Sequence, residues 1–187
     1  MVSLESKIIS FSADWGGPSY WAAAVGRRGG VAILCFNEYL DAISVWQKDS
    51  SGRILASLGS FNINLLNVPT VPAERKTFLP SIVTFLFQNS QPLIISDFNC
   101  FDSILDKMGG IASLDSNFAS LKESCGLRHV WHLLHPRVNQ FTWFSPDLSI
   151  ASRLDSFLFS WLDGDNLCCE IQPCAFSDLE YVVLTDR

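Results

Sequence analysis

Pro92-Leu93-Ile94-Ile95-Ser96-Asp97-Phe98-Asn99-Cys100 is the stretch on which the reading of this chain turns. Leu93 to Ile95 form a short apolar run that ends in Ser-Asp-x-Asn, the pattern of a buried strand bounded by breakers. Strand side chains alternate, and Asp97 and Asn99 stand two apart, so both are expected on one face at the strand's C-terminal end. A carboxylate beside a carboxamide there can hold a hard cation and a phosphate oxygen. The plainer alternative is a strand that finishes in an Asx-turn, its Asp and Asn bonded to the local backbone.

Upstream, Pro72 suits the first turn of a helix and Glu74 the positive end of its dipole. Phe78, Ile82, Phe85 and Leu86 recur at helical spacing, and the helix is expected to stop near Gln88-Asn89-Ser90. Further back, strands are expected over residues 31–35, 42–48, 53–61 and 62–68, with Asp49-Ser50-Ser51-Gly52 as a turn. Such consecutive strands suggest an antiparallel meander. The start, residues 1–19, reads as short and polar, closed by Gly16-Gly17-Pro18. Downstream, residues 101–110 read as a loop. Leu114, Phe118, Leu121 and Cys125 make a second helical stripe, with Asp115 in its first turn and Gly126 as C-cap. Residues 127–136 are mixed, and strands are expected over 140–144, 153–159, 167–171 and 181–185. Strands dominate around two clear helices, which suits an α/β sandwich of two packed sheets with helices outside.

Two further stretches give Asp97 and Asn99 a context. Ser152-Arg153-Leu154-Asp155 lies further on, and Phe176-Ser177-Asp178-Leu179 near the end. In this order the three resemble the Gly-Asp-Phe-Asn, Ser-Arg-Ile-Asp and Ser-Asp-His strings of the endonuclease/exonuclease/phosphatase superfamily. More narrowly, the chain resembles the apurinic-type endonuclease domain of non-LTR, LINE-like retrotransposons. Phrases typical of those elements are matched by Gly26-Arg27-Arg28-Gly29-Gly30-Val31-Ala32-Ile33-Leu34, Pro72-Ala73-Glu74-Arg75-Lys76-Thr77-Phe78 and Gln140-Phe141-Thr142-Trp143. The resemblance spans nearly the whole chain. It implies a four-layer αββα sandwich of two mixed sheets, lacking the family's first strand and helix.

The resemblance also implies a chemistry: phosphodiester hydrolysis by a metal-activated water, with Mg²⁺ (or Mn²⁺) stabilising charge on the phosphoryl oxygens. Asp97 then matches the water-positioning Asp and Asn99 the phosphate-contacting Asn. Asp155 matches the Asp that orients a catalytic His, and Asp178 the Asp near the metal. Asp97, Asn99 and Asp178 would be the metal's neighbours, and Arg153 would be structural, paired with a nearby carboxylate. The departures are specific. Leu179 stands where the family has its catalytic His, and leucine can neither donate to a phosphate nor carry charge. Asn67 replaces a Tyr two residues before Pro69. The N-terminal Gln-Glu-Thr string with the metal-binding Glu has no counterpart; Glu5, the only early Glu, has unmatched neighbours. The expected function is a Mg²⁺-dependent DNA endonuclease-type domain, impaired, with a catalytically dead remnant or pseudoenzyme binding module as the alternative. A phosphoinositide or nucleotide phosphodiester substrate is a third possibility, which the retrotransposon-like phrases oppose.

The chain has 187 residues, enough for one domain with a real core, and is 48% hydrophobic and 17% charged, values that exclude disorder. The formal charge of −6 has the wrong sign for holding nucleic acid by charge alone, so any DNA binding is expected to be weak. No apolar run is long enough to span a bilayer, and the expectation is a soluble, intracellular protein with no membrane partner. The six cysteines, Cys35, Cys100, Cys125, Cys168, Cys169 and Cys174, form no CxxC and read as buried free thiols. His129, His132 and His135 would share a face if helical and could bind a metal in principle. The favoured reading is a solvated or hydrogen-bonded surface; the family places an aspartate and an arginine near the first two, on a structural helix.

Overall fold

The computed structural model describes residues 4–22, 30–48, 53–58, 61–86, 92–101, 103–160, 167–174 and 180–186. The chain divides into two compact units, Met1–Asn67 and Val68–Arg187.

In the first unit, the expected polar start is a helix, α1 (Leu4–Trp15). Ile8, Ser12 and Trp15 lie on its half-buried side, a spacing of four then three that the sequence carries. Gly16, at φ +70°, takes the left-handed step that ends it. A helix therefore precedes the first strand, where the sequence suggests only a short polar start. Strands β1 (Ser19–Ala22) and β2 (Val31–Leu34) pair antiparallel, and a 3₁₀ turn (Asn37–Ala42) leads into the expected meander. Its strands are β3 (Ile43–Lys48), β4 (Arg53–Leu58) and β5 (Phe61–Asn67), antiparallel in sequence order with a bulge between Val45 and Gln47. Among its described residues, Ile54, Leu55, Ala56, Asn64 and Leu66 are buried. The expected turn at 49–52 lies outside the described residues.

The second unit opens with α2 (Pro72–Leu86). Among its described side chains the buried stripe is Arg75, Leu79, Ile82 and Leu86; of the expected one, Phe78 is only half-buried and the side chain of Phe85 lies outside the described residues. Ile82 and Leu86 are common to both, and the shift by one position brings a charged residue inside. The expected end near Gln88-Asn89-Ser90 lies outside the described residues. Strand β6 (Pro92–Asp97) follows. The expected loop over 101–110 holds a 3₁₀ turn (Ile104–Asp106) and the short β7 (Lys107–Met108). Helix α3 (Ser116–Ser124) packs on α2. Asp115 is its N-cap, accepting from the N–H groups of Asn117 (3.0 Å) and Phe118 (3.2 Å). At the other end Leu127 N–H bonds Lys122 O and Gly126 N–H bonds Glu123 O, a Schellman motif with Gly126 at φ +61°.

The mixed segment resolves into β8 (Arg128–His129) and α4 (Val130–Leu134). The strand expected over 140–144 shrinks to β9 (Trp143–Phe144). That over 153–159 splits into β10 (Ala151–Ser152) and β11 (Asp155–Phe159). Antiparallel β7, β10 and β9 form one small sheet, while β11 lies between β6 and β8, antiparallel to both. Strands β12 (Leu167–Gln172) and β13 (Tyr181–Asp186) make a final hairpin. Val130 and Trp131 of α4 pack with Phe159, Cys169 and Ile171 into one buried cluster. Among the described residues every cysteine is free, as expected, although Cys125, Cys168 and Cys174 are only partly buried.

Candidate active site

Strand β6 buries Pro92, Ile94 and Ser96 and leaves Asp97 exposed at its end. Its antiparallel neighbour β11 starts at Asp155, and the register sets Asp155 directly opposite Asp97, then Ser156 opposite Ser96 and Leu158 opposite Ile94. Residues directly opposite share a face, with Cβ atoms about 4.5–5.5 Å apart. Two carboxylates 58 positions apart in sequence thus meet where the ladder ends.

This meeting has an electrostatic cost. Asp155 is pushed up to about 6, first by burial and then by the negative charge of Asp97, while a hydrogen bond with Thr142 pulls the other way. The Asp97 carboxyl is also raised by the protein around it, against the pull of the Asn99 N–H, even though the residue is exposed at the strand end. Carboxyls that resist joint ionisation are stabilised by a cation between or beside them, so the donor set fits a hard divalent metal ion.

Phe98 and Asn99 shape the strand end. Phe98 is fully buried, its N–H donates to Leu154 O (2.8 Å), and its ring lies 4.7 Å from that of Phe118. Asn99 is at φ +52°, a left-handed conformation that Asn tolerates. Its N–H donates to Asp97 Oδ1 (2.9 Å) and its Nδ2 to Val68 O (3.0 Å). The strand ends at Asp97, so strand alternation does not place Asn99, contrary to expectation. The Asx-turn of the plainer reading is present. It coexists with the carboxylate pair, and Val68 O anchors the carboxamide from outside the turn.

Thr142, fully buried, organises the Asp155 side. Its Oγ1 accepts from Leu154 N–H (3.0 Å) and Asp155 N–H (3.3 Å), and its own N–H and C=O bond Ser152 and Glu180. A threonine amid aromatic residues reads as an ordinary strand residue, so this role had no local signal beyond the Gln140-Phe141-Thr142-Trp143 phrase. Arg153 is structural, as expected. Its Nε (2.9 Å) and Nη2 (2.7 Å) reach Asp106 Oδ1 inside the unit. Nothing in the sequence singled out Asp106. Asp178 and Leu179 lie outside the described residues, so the structure joins Asp97, Asn99 and Asp155 and leaves the expected fourth member undescribed.

All three histidines are engaged elsewhere: His129 with Ser156 Oγ (2.7 Å), His132 with Asp106 Oδ1 (2.7 Å) and His135 with Cys169 O (2.7 Å). Only His132 is within α4; His129 and His135 cap its two ends. They are hydrogen-bonded as expected, but His129 is buried, not a surface residue.

No protein-family model and no curated protein matches the sequence. The three-dimensional fold does have counterparts. An AP endonuclease from Archaeoglobus fulgidus superposes with a TM-score of 0.75 at 16% identity, over 94% of this chain and 82% of that one. An AP endonuclease from Leishmania major gives 0.71 at 14% identity, over 91% and 70%. A 3′–5′ exonuclease from Neisseria meningitidis gives 0.72 at 14% identity, over 95% and 82%. The chain has the αββα sandwich fold that these nucleases share. Among the described residues no helix is long and apolar enough to cross a membrane.

Proposed function

We propose that residues 1–187 are a single endonuclease-type domain that acts on DNA phosphodiesters with Mg²⁺ or Mn²⁺, derived from a LINE-like retrotransposon and impaired in its chemistry. The observation that carries this reading is the register that sets Asp155 against Asp97, with Asn99 at the same strand end, in a fold shared with AP endonucleases. That one archaeal fold matches 94% of the chain, across both units, supports treating it as one domain.

Asp97, Asn99 and Asp178 would hold the metal ion, which would supply an activated water and charge stabilisation on the phosphoryl oxygens. Asp97 would position the water, and Asn99 the phosphate, with its carboxamide held by Val68 O. Asp155 has no histidine to orient: none of the bonds made by His129, His132 and His135 goes to it. Leu179 offers no acid or base in its stead. The loss of one such partner costs roughly 10²–10⁴-fold in rate. The formal charge of −6 makes DNA binding weak.

The test is nicking of supercoiled plasmid in Mg²⁺, with EDTA and Asp97→Ala controls. Slow nicking that both controls abolish is the expected result. Folded protein that nicks no faster than Asp97→Ala refutes the enzyme reading. It favours the second one, a pseudoenzyme that survives as a binding module, for which the unaccompanied Asp155 is the specific observation.

A further inference from the structure

Among the described residues, one cluster outside the carboxylate pair brings metal-ligating side chains together. Asp106, His129 and His132 each present a donor atom, and these atoms lie within 4.8 Å of one another. His129 is buried; Ser156 Oγ engages its Nε2, and its Nδ1 is buried without a hydrogen-bond partner. An unpaired buried polar atom is a costly feature in a folded chain and calls for an explanation. Beside it, the half-exposed His132 stacks on His129 with ring centroids 4.3 Å apart and bonds Asp106 through Nε2.

We propose that Asp106, His129 and His132 form a binding site for a borderline-soft divalent cation of the Zn²⁺ type, separate from the hard-ion carboxylate site. Two imidazoles and one carboxylate are a zinc-type donor set, with a fourth position left for water. The elements needed to preset it are in place. Ser156 on Nε2 can fix the tautomer that leaves a lone pair on Nδ1, and Arg153 holds the Asp106 carboxylate through Oδ1, the same oxygen that His132 bonds. Burial keeps the His129 ring neutral, the form that ligates. Zinc bonds of about 2.0–2.2 Å put tetrahedral donors about 3.4 Å apart. Binding therefore exchanges the direct His132–Asp106 hydrogen bond for two metal bonds and turns the His132 ring out of its stack. The partial exposure of His132 gives it room to do so. The charge of Arg153 opposes the cation, so affinity is moderate. A bound ion would clip the turn before β7 to the start of α4.

The test uses the full chain, stripped by chelation. Co²⁺ is titrated and followed by visible ligand-field absorption, then displaced with Zn²⁺. The expected result is one equivalent bound, at least about tenfold weaker in His132→Gln and unchanged in Asp97→Asn, with Tm raised by about 5–10 °C at a hundredfold excess over Kd. Long-range ¹⁵N NMR of the unmutated chain gives a check free of variants: saturating Zn²⁺ should shift the His129 Nδ1 resonance. No binding up to about 1 mM metal by folded protein overturns the proposal. So does an unmoved His129 resonance, binding as tight in folded His132→Gln as in the unmutated chain, or binding that Asp97→Asn abolishes. A plasmid assay that fails would leave these readouts untouched.

Discussion

Arg75 and Asp115 form a buried ion pair between α2 and the cap of α3, and its removal should be costly in a characteristic, non-additive way. Arg75 Nε lies 2.8 Å from Asp115 Oδ2, with side-chain exposures of 8% and 9%. Arg75 Nη1 also donates to Pro69 O (3.1 Å) and Thr70 O (2.8 Å). The perturbation is a double-mutant cycle with Arg75→Met and Asp115→Asn; asparagine keeps the N-cap acceptor and removes the charge. Breaking a buried pair from one side costs about 3–5 kcal/mol, because a desolvated charge is left behind. Each survivor here keeps other partners: Arg75 its two carbonyls, and Asp115 two backbone N–H groups. The lower end, about 3 kcal/mol for each single variant, is therefore expected. The double variant strands neither charge and should lose about 3 kcal/mol, not about 6, a coupling of about 3 kcal/mol. For a chain of this length each single variant should lower Tm by about 6–12 °C. Urea unfolding followed by circular dichroism measures all four corners. Single losses below about 1 kcal/mol, or a double variant that is simply additive, would refute the view of this pair as one desolvated unit. Arg75 also anchors the carbonyls that follow Val68, so Arg75→Met should broaden the Asn99 side-chain amide signal in NMR.

His129 is lowered to about 3 by burial and then by the nearby charges of His132 and Arg153, against the pull of Asp106. The unfolded chain then takes up the proton first, so stability is full above the free histidine value of about 6.5 and is lost as pH falls from there; between pH 7 and pH 5 the metal-free chain should lose about 2 kcal/mol, and His129→Gln should flatten that slope. For Asp115, burial raises the carboxyl but the hydrogen bonds of Arg75, Phe118 and Asn117 and the charge of Arg75 hold it below its usual range. Its contribution is present above the free value of about 3.9 and is lost as pH falls further, a lower window that Asp115→Asn should remove. Asp155 should titrate near 6 in a carboxyl ¹³C experiment, and Asp97→Asn should lower that value; an unchanged value would mean that Asp97 does not face it. Gly109 sits at φ +69°, and a Cβ there would overlap the carbonyl oxygen of Ser149, so Gly109→Ala should cost about 1–3 kcal/mol or more in urea unfolding.

Local chemistry alone determined much of this protein. The apolar run into Asp97, the meander and the Gly126 stop follow from periodicity and breakers, which act within a few residues, whereas Asp115, expected in the first turn of α3, caps it instead. Resemblance to a family's motifs, not local chemistry, suggested one site for Asp97, Asn99, Asp155 and Asp178 and a structural pair for Arg153. Helix α1 was missed although Ile8, Ser12 and Trp15 carry its period, because its polar residues and the Gly16-Gly17-Pro18 stop outweighed a weak stripe. Only the tertiary structure decided the rest. Asp155 faces Asp97 because of a strand register, and a slip of one residue would have turned it to the other side of the sheet. Arg75 is buried because Asp115, 40 positions away, and two carbonyls satisfy it. Asp106 gains its meaning from His132 and Arg153, 26 and 47 positions away. A polar side chain is placed inside a protein by the partner that offsets its desolvation, and that partner comes from distant sequence.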